Sequence, residues 1–150
     1  MSSSPGSEEE IRKLFLAYQQ YQTQAEAIVR QISLTQLTEE GLDRAIEATE
    51  ALDKANEGQE LLVPIGSGSF IHAKLASNTK VVLNVGAGVS IEKTPVEARE
   101  SLQARKSQVA EGLKKMNEVL AKLDQDMQKI QTILAQFEQQ VQAKSGGQVV

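Results

Sequence analysis

From Leu102 to Val141 the sequence sets down a stripe in alternating steps of three and four residues. It runs Leu102, Lys106, Val109, Leu113, Met116, Leu120, Leu123, Met127, Ile130, Leu134, Phe137 and Val141, and eleven of these twelve positions are apolar. A period of 3.5 held over five heptads specifies a long helix with a single apolar seam, and such a seam must be covered along its length by another helix. The start of this helix is equally well marked. Thr94 has an N-cap side chain, Pro95 suits the first helical position, and Glu97 stands three residues after the cap. The expected span is 95–144, with Gly112 its one glycine and Gly146 and Gly147 beyond its end.

The partner helix is expected over 8–57. Ser7 is a candidate N-cap, followed by Glu8, Glu9 and Glu10, with Glu10 in capping-box position. Its seam begins Ile11, Leu14, Tyr18, Tyr21, Ala25, Ile28, Ile32, and a later seam reads Leu42, Ala45, Thr49, Leu52. Between them the phase is lost: continuing the first seam calls on Thr35 and Glu39, whereas the nearby apolar residues are Leu34 and Leu37, and Gly41 lies on the join. This predicts a stammer or a local kink across 33–41. Ala, Glu, Lys, Leu, Arg and Gln supply 80 of the 150 residues, and aromatics only 3%, a composition of long helices rather than of a broad globular core. At about 50 residues each, the helices reach about 75 Å. The simplest arrangement is antiparallel with the intervening segment at the bend. Residues 1–57 carry five basic and eleven acidic groups, residues 95–150 eight and seven, so the pairing avoids like-charge contacts, although each exposed pair contributes little.

The segment 58–94 has the other period. It holds five of the ten glycines and Pro64. Glu60–Ile65 reads as a strand with Pro64 at an edge or bulge. Ile71, Ala73 and Leu75 share a face opposite His72 and Lys74. Val81, Leu83 and Val85 oppose Val82 and Asn84, and Val89 and Ile91 oppose Ser90 and Glu92. Turns fall at Gly66–Ser69 and Gly86–Gly88, and Ser77–Thr79 joins the pairs. The prediction is two consecutive β-hairpins. Four short strands bury little by themselves, and a slim helix pair offers them no broad surface, so the hairpins are expected to pair with other chains.

Several functions are disfavoured by composition. The net charge of −4 leaves no basic excess for nucleic acid. There is no Cys and only one His, His72, which removes disulfides, thiolate chemistry and His-rich metal sites. Gly66-Ser67-Gly68-Ser69 and Gly86-Ala87-Gly88 lie between strands and lead into neither a Gly-Lys-Ser/Thr nor a dinucleotide fingerprint, so they read as turns rather than phosphate cradles. No nucleophile–base pair is present, and Asp124 and Asp126 read as a solvated helix face. The chain is therefore read as no enzyme, with no cofactor and no metal. Met1–Glu10 is Ser-rich and acidic without an apolar stretch, and no apolar run approaches the roughly 20 residues of a membrane span. The expected location is the cytoplasm, with no membrane partner.

Two stretches carry a specific likeness. Leu61-Leu62-Val63-Pro64-Ile65-Gly66-Ser67-Gly68-Ser69-Phe70-Ile71-His72-Ala73 and Lys80-Val81-Val82-Leu83-Asn84-Val85-Gly86-Ala87-Gly88-Val89-Ser90-Ile91-Glu92-Lys93 resemble the hairpin signature of the alpha-class prefoldin subunit, in its archaeal form. The helices match in pattern only, and Ser2–Ser4 and Ser145–Val150 match nothing in the family. The resemblance implies an α+β fold: a long antiparallel two-helix coiled coil with two β-hairpins inserted at the bend, the hairpins closing into an oligomeric β-barrel. It further implies a hexamer of two alpha and four beta-class prefoldin subunits. That assembly holds unfolded client proteins at the coiled-coil tips without ATP and passes them to a group II chaperonin.

The residues suit that mechanism. At the helix ends Phe15 and Leu16 lie beside the seam residues Ile11 and Leu14, and Ile133 lies beside Leu134, between Ile130 and Phe137, with Val141 in the last turns. Either this surplus forms a client-binding patch or it covers the flanks of the seam. The candidate oligomerisation residues are Leu62, Ile71, Ala73, Leu75, Val81, Leu83, Val85, Val89 and Ile91. Met116 and Met127 stand on strict seam positions and read as core. Lys106, the one charged seam position, either fixes the helix alignment or extends its ammonium to water. The competing function is a coiled-coil scaffold or adaptor subunit that binds no client.

Overall fold

The computed structural model describes residues 8–146, so the proposed Ser7 cap and the Ser2–Ser4 segment lie outside the described residues. The element order is α1 (Glu8–Asp53), β1 (Glu60–Gly66), β2 (Ser69–Lys74), β3 (Val81–Gly86), β4 (Val89–Lys93) and α2 (Pro95–Gly146). Two compact units divide it: the helical segments 8–35 and 112–146 make one, and residues 36–111 the other.

In the first unit the two helical segments run antiparallel. Gln131 Nε2 donates to Tyr18 Oη at 2.8 Å, and Ala25 lies in one groove with Leu120, Asp124 and Met127. The seam is apolar, with Ala25, Ile32, Leu123 and Ile130 buried. Met116 and Met127 are half-buried in it, as their seam positions require.

The second unit joins the remaining parts of both helices to the hairpins. Its helices also run antiparallel, as the pairs Asp43–Lys106 and Thr49–Arg99 establish. α1 ends earlier than the expected residue 57. Lys54 N and Ala55 N bond to Ala51 O and Leu52 O, three residues back, which tightens and closes the last turn. Gly58 then takes φ +83, and its N–H leaves the helix direction to meet Leu75 O. At the other end of the insert, Glu97 N donates to Thr94 Oγ1 at 3.2 Å, the cap that the sequence specifies for α2.

The strands form two separate antiparallel hairpins, β1–β2 and β3–β4. Each turns on two residues of positive φ, Ser67 and Gly68 or Ala87 and Gly88, the backbone of a type I′ turn, whose twist matches that of the flanking strands. Each carries a bulge immediately before the turn, between Pro64 and Gly66 or between Asn84 and Gly86. Pro64 thus sits beside a bulge, where its missing N–H is tolerated. Leu75 falls just past β2 but continues its pairing through Leu75 N to Gln59 O.

Of the stammer or kink expected over 33–41, the stammer is not found. α1 is helical from Glu8 to Asp53 without interruption. Its inward positions keep the three-four spacing through Ile28, Ile32, Thr35, Glu39, Leu42, Ile46 and Thr49, all buried or half-buried. Leu34 and Leu37 are 60% and 61% exposed. An apolar residue is thus left outside while Thr35 and Glu39 take the seam. Keeping the helix wound without a three-residue slip outweighs burying two leucines, and the cost of the polar seam positions falls because Glu39 lies within electrostatic reach of Lys106 on α2.

Candidate interaction surfaces

The hairpins of the second unit are not equivalent. Leu83 of β3 is only 7% exposed, lodged over an apolar hollow lined by Ala45, Thr49, Leu52 and Leu102. The small side chains Ala45 and Ala48 open that hollow, and Thr49 is buried because its hydroxyl is satisfied by Ile46 O at 2.7 Å. Arg105 Nη2 donates to Asn84 O, fastening β3 to α2 beside the bulge, while Asn84 Oδ1 accepts Gly86 N at 2.8 Å. The helix pair, which offers the hairpins no broad surface, thus still seats one of them through Leu83. Burying a leucine there contributes about 1.5–3 kcal/mol. The sequence reading weighed the width of the helix pair and did not reach the Ala-rich hollow.

The β1–β2 hairpin is held mainly at its base, where Asn78 Nδ2 donates to Ala55 O and Gly58 N to Leu75 O. Its pairing puts Leu61 opposite Ala73 and Val63 opposite Ile71 on one face, and Leu62 opposite His72 and Pro64 opposite Phe70 on the other. Leu61, Leu62, Ile65, Phe70 and Ile71 are all exposed. This hairpin is apolar on both faces, which the reading of His72 and Lys74 as a polar face missed. The signal lay in the cross-strand partners Leu62 and Pro64, visible once the turn length is known. In β3–β4, Val82, Val85, Val89 and Ile91 are exposed, whereas Val81 is half-buried and Leu83 buried.

Of the candidates at the helix ends, Phe15, Leu16 and Val141 are exposed, the first two at 52% and 57%. Ile11, Leu14, Ile133, Leu134 and Phe137 are half-buried. Ile130 is buried in the seam; it holds the helices together and is open to a ligand only if they part. By heptad position, Phe15 follows an inward residue of α1 (Leu14), whereas Ile133 precedes one of α2 (Leu134). In an antiparallel pair these two rows border opposite flanks of the seam, so the apolar surplus widens the seam on both sides rather than forming one patch.

Charged contacts cluster in the second unit. Arg99 Nη2 donates to Thr49 O at 3.1 Å and pairs with Asp53. Lys106 Nζ lies 2.6 Å from Asp43 Oδ1. The hydrogen bond and charge of Asp43 hold the Lys106 ammonium above its ordinary pKa of 10.5; partial desolvation opposes this, and Glu39 adds to it. Neither arginine was singled out from sequence, because single charges on a helix face carry no pattern. Among the described residues, no three His, Cys, Asp or Glu side chains gather as a metal site would require, and no helix is long and apolar enough to cross a membrane.

Two long helices, paired antiparallel within each unit and joined by two unclosed, largely apolar hairpins, define a coiled-coil assembly subunit. The chain belongs to the prefoldin family: the family described as Prefoldin subunit matches residues 21–140, and the family's members are chaperone subunits. Similar proteins are prefoldin alpha subunits of archaea. That of Methanothrix thermoacetophila is 59% identical over 118 residues, covering 78% of this chain and 77% of its own. That of Methanosarcina mazei is 39% identical over 133 residues, 87% and 94% of the two chains. Among solved structures, a chain of the filamentous PFD from Methanocaldococcus jannaschii, determined by cryo-electron microscopy, superposes with a TM-score of 0.65 at 25% identity, over 79% of this chain and 96% of that one.

Proposed function

We propose that the chain is a subunit of an ATP-independent holdase in the cytoplasm. It joins beta-class partners through its hairpins, in a hexamer of two alpha and four beta subunits, captures unfolded proteins at the helix ends and hands them to a group II chaperonin. The observation that carries client capture is the exposure of Phe15 and Leu16 beside a seam already filled by Ile11 and Leu14. Large apolar groups left in water on a helix flank are what a non-native chain, itself exposing apolar side chains, can cover. Assembly is supported by the open β1–β2 hairpin, apolar on both faces. The family likeness supports both parts. With no phosphate-binding loop in the sequence, release depends on transfer to a tighter binder by mass action.

The test is suppression of aggregation of a denatured client by this chain assembled with a beta-class partner, with and without ATP. Equal protection in both conditions is expected. No protection by the intact assembly would leave the scaffold reading, which the half-burial of Ile133 and Leu134 favours.

A further inference from the structure

We propose that Lys106, facing Asp43 and Glu39, is the alignment device of this chain: it admits one antiparallel register of α1 against α2 and so builds the seat on which β3 rests.

The α2 seam is apolar at eleven of its twelve positions. Apolar seams discriminate poorly between alignments a heptad apart, because every alignment buries similar side chains, and a single polar position restores the choice at some cost in stability. Lys106 is that position, and its Nζ is 2.6 Å from Asp43 Oδ1. Glu39, one turn earlier on α1 and half-buried, adds a second negative charge. Sliding α2 by one heptad moves Lys106 about 10 Å along α1. In one direction it then faces Ile32 and Gln36, with no carboxylate in the place of Asp43; in the other it faces Ile46 and Glu50, one heptad from Glu39 and Asp43, and that alignment is disfavoured because Arg99 is carried past the end of α1. The same slip separates Arg99 from Thr49 O and Asp53. A parallel pairing of two α2 helices sets Lys106 against its own copy, a like-charge contact.

The consequence reaches the hairpin. The hollow beneath Leu83 takes Ala45, Thr49 and Leu52 from α1 but Leu102 from α2, so it exists only in one alignment. Arg105, next to Lys106, ties β3 to α2 alone and would carry the hairpin with it on a slip, leaving Leu83 over the wrong part of α1. Alignment of the seam and placement of the hairpin are therefore one property.

The sequence has no Cys, which permits a clean measurement on the full chain. Glu47→Cys and Gln103→Cys, both at exposed positions of the second unit, are spin-labelled, diluted with unlabelled chain, and their separation distribution is read by pulsed electron resonance. The otherwise unaltered chain should give one narrow distance. Lys106→Leu should keep its helix content and unfold at the same or higher temperature, while the distribution gains a second population displaced along the helix by about 10 Å. Lys106→Asp should broaden it further, and the exchange Asp43→Lys with Lys106→Asp should return the single distance. A single unshifted distance in Lys106→Leu overturns the proposal, as does failure of the exchanged pair to restore what Lys106→Asp loses.

Discussion

At the scale of single residues, identical amino acids do opposite work in different backbones. Gly88 takes φ +75 in the second hairpin turn, where an L side chain costs roughly 1–2 kcal/mol. Gly112 lies inside α2 with nothing beyond its adjoining residues and the helix's own backbone within 4 Å of where a Cβ would stand, and a helical glycine is about 1 kcal/mol worse than alanine. Gly88→Ala should therefore lower the unfolding temperature and Gly112→Ala raise it, each by the few degrees that about 1 kcal/mol implies, read by calorimetry on the same preparation. Lys106 offers a test by pH. Its folded-state pKa is raised above 10.5 by Asp43, with Glu39 assisting. The stability it contributes is thus complete below about pH 10.5 and is lost as pH rises through the raised value. The unsubstituted chain should lose stability relative to Lys106→Met over that interval. The side chain is 42% exposed, so the difference should be small and should shrink with added salt.

At the scale of elements, the sequence was most legible where one local rule governs. Thr94 and Pro95 mark the start of α2, the five-heptad stripe marks its course, and the alternation from Leu61 to Ile91 marks the strands; all appear where expected. The middle of α1 was misread because a search for apolar periodicity selects Leu34 and Leu37, whereas continuity of the helix places Thr35 and Glu39 inward, beside a lysine 67 residues further along the chain. Long-range compensation of that kind has no local signature. The seat of β3 was hidden for the same reason: Ala45, Leu52 and Leu102 become one surface only after the helices pair. Of the helix-end candidates, the sequence could select the apolar residues but not divide them. Phe15 and Leu16 are exposed while Ile130 is buried, and only the choice of inward face decides which. The inequality of the hairpins has a measurable result. Leu83→Ala removes a buried side chain at a cost of about 2–5 kcal/mol, which should accelerate amide hydrogen exchange in β3–β4 and leave β1–β2 unaffected. Equal acceleration in both hairpins would show that they are held as one body.

At the scale of the whole molecule, the proposed function divides between a surface that must be covered and one that must remain available. Exposed Leu62, Phe70 and Ile71 on a two-stranded hairpin are poorly suited to water and lie next to unpaired strand edges, so they call for permanent partners. Phe15 and Leu16 stand on a helix flank whose backbone is already hydrogen-bonded, so they can remain exposed without recruiting another strand. Replacing Phe15, Leu16 and Ile133 together with Ser tests whether that exposure serves capture. The seam residues Ile11, Leu14, Ile130 and Leu134 are untouched, so helix content by circular dichroism and assembly size by sedimentation should hold. Each apolar side chain covered by a client contributes roughly 1.5–3 kcal/mol, and several subunits acting on one client multiply rather than replace that contribution. Protection of an aggregating client should therefore fall by at least tenfold in the subunit concentration required. Because Phe15 and Ile133 border opposite flanks of the seam, Phe15→Ser with Leu16→Ser alone should produce most of the loss, and Ile133→Ser, half-buried to begin with, the smaller part. Undiminished protection by an intact assembly of the triple variant would mean that these side chains only shield the seam, and the molecule would then be a scaffold.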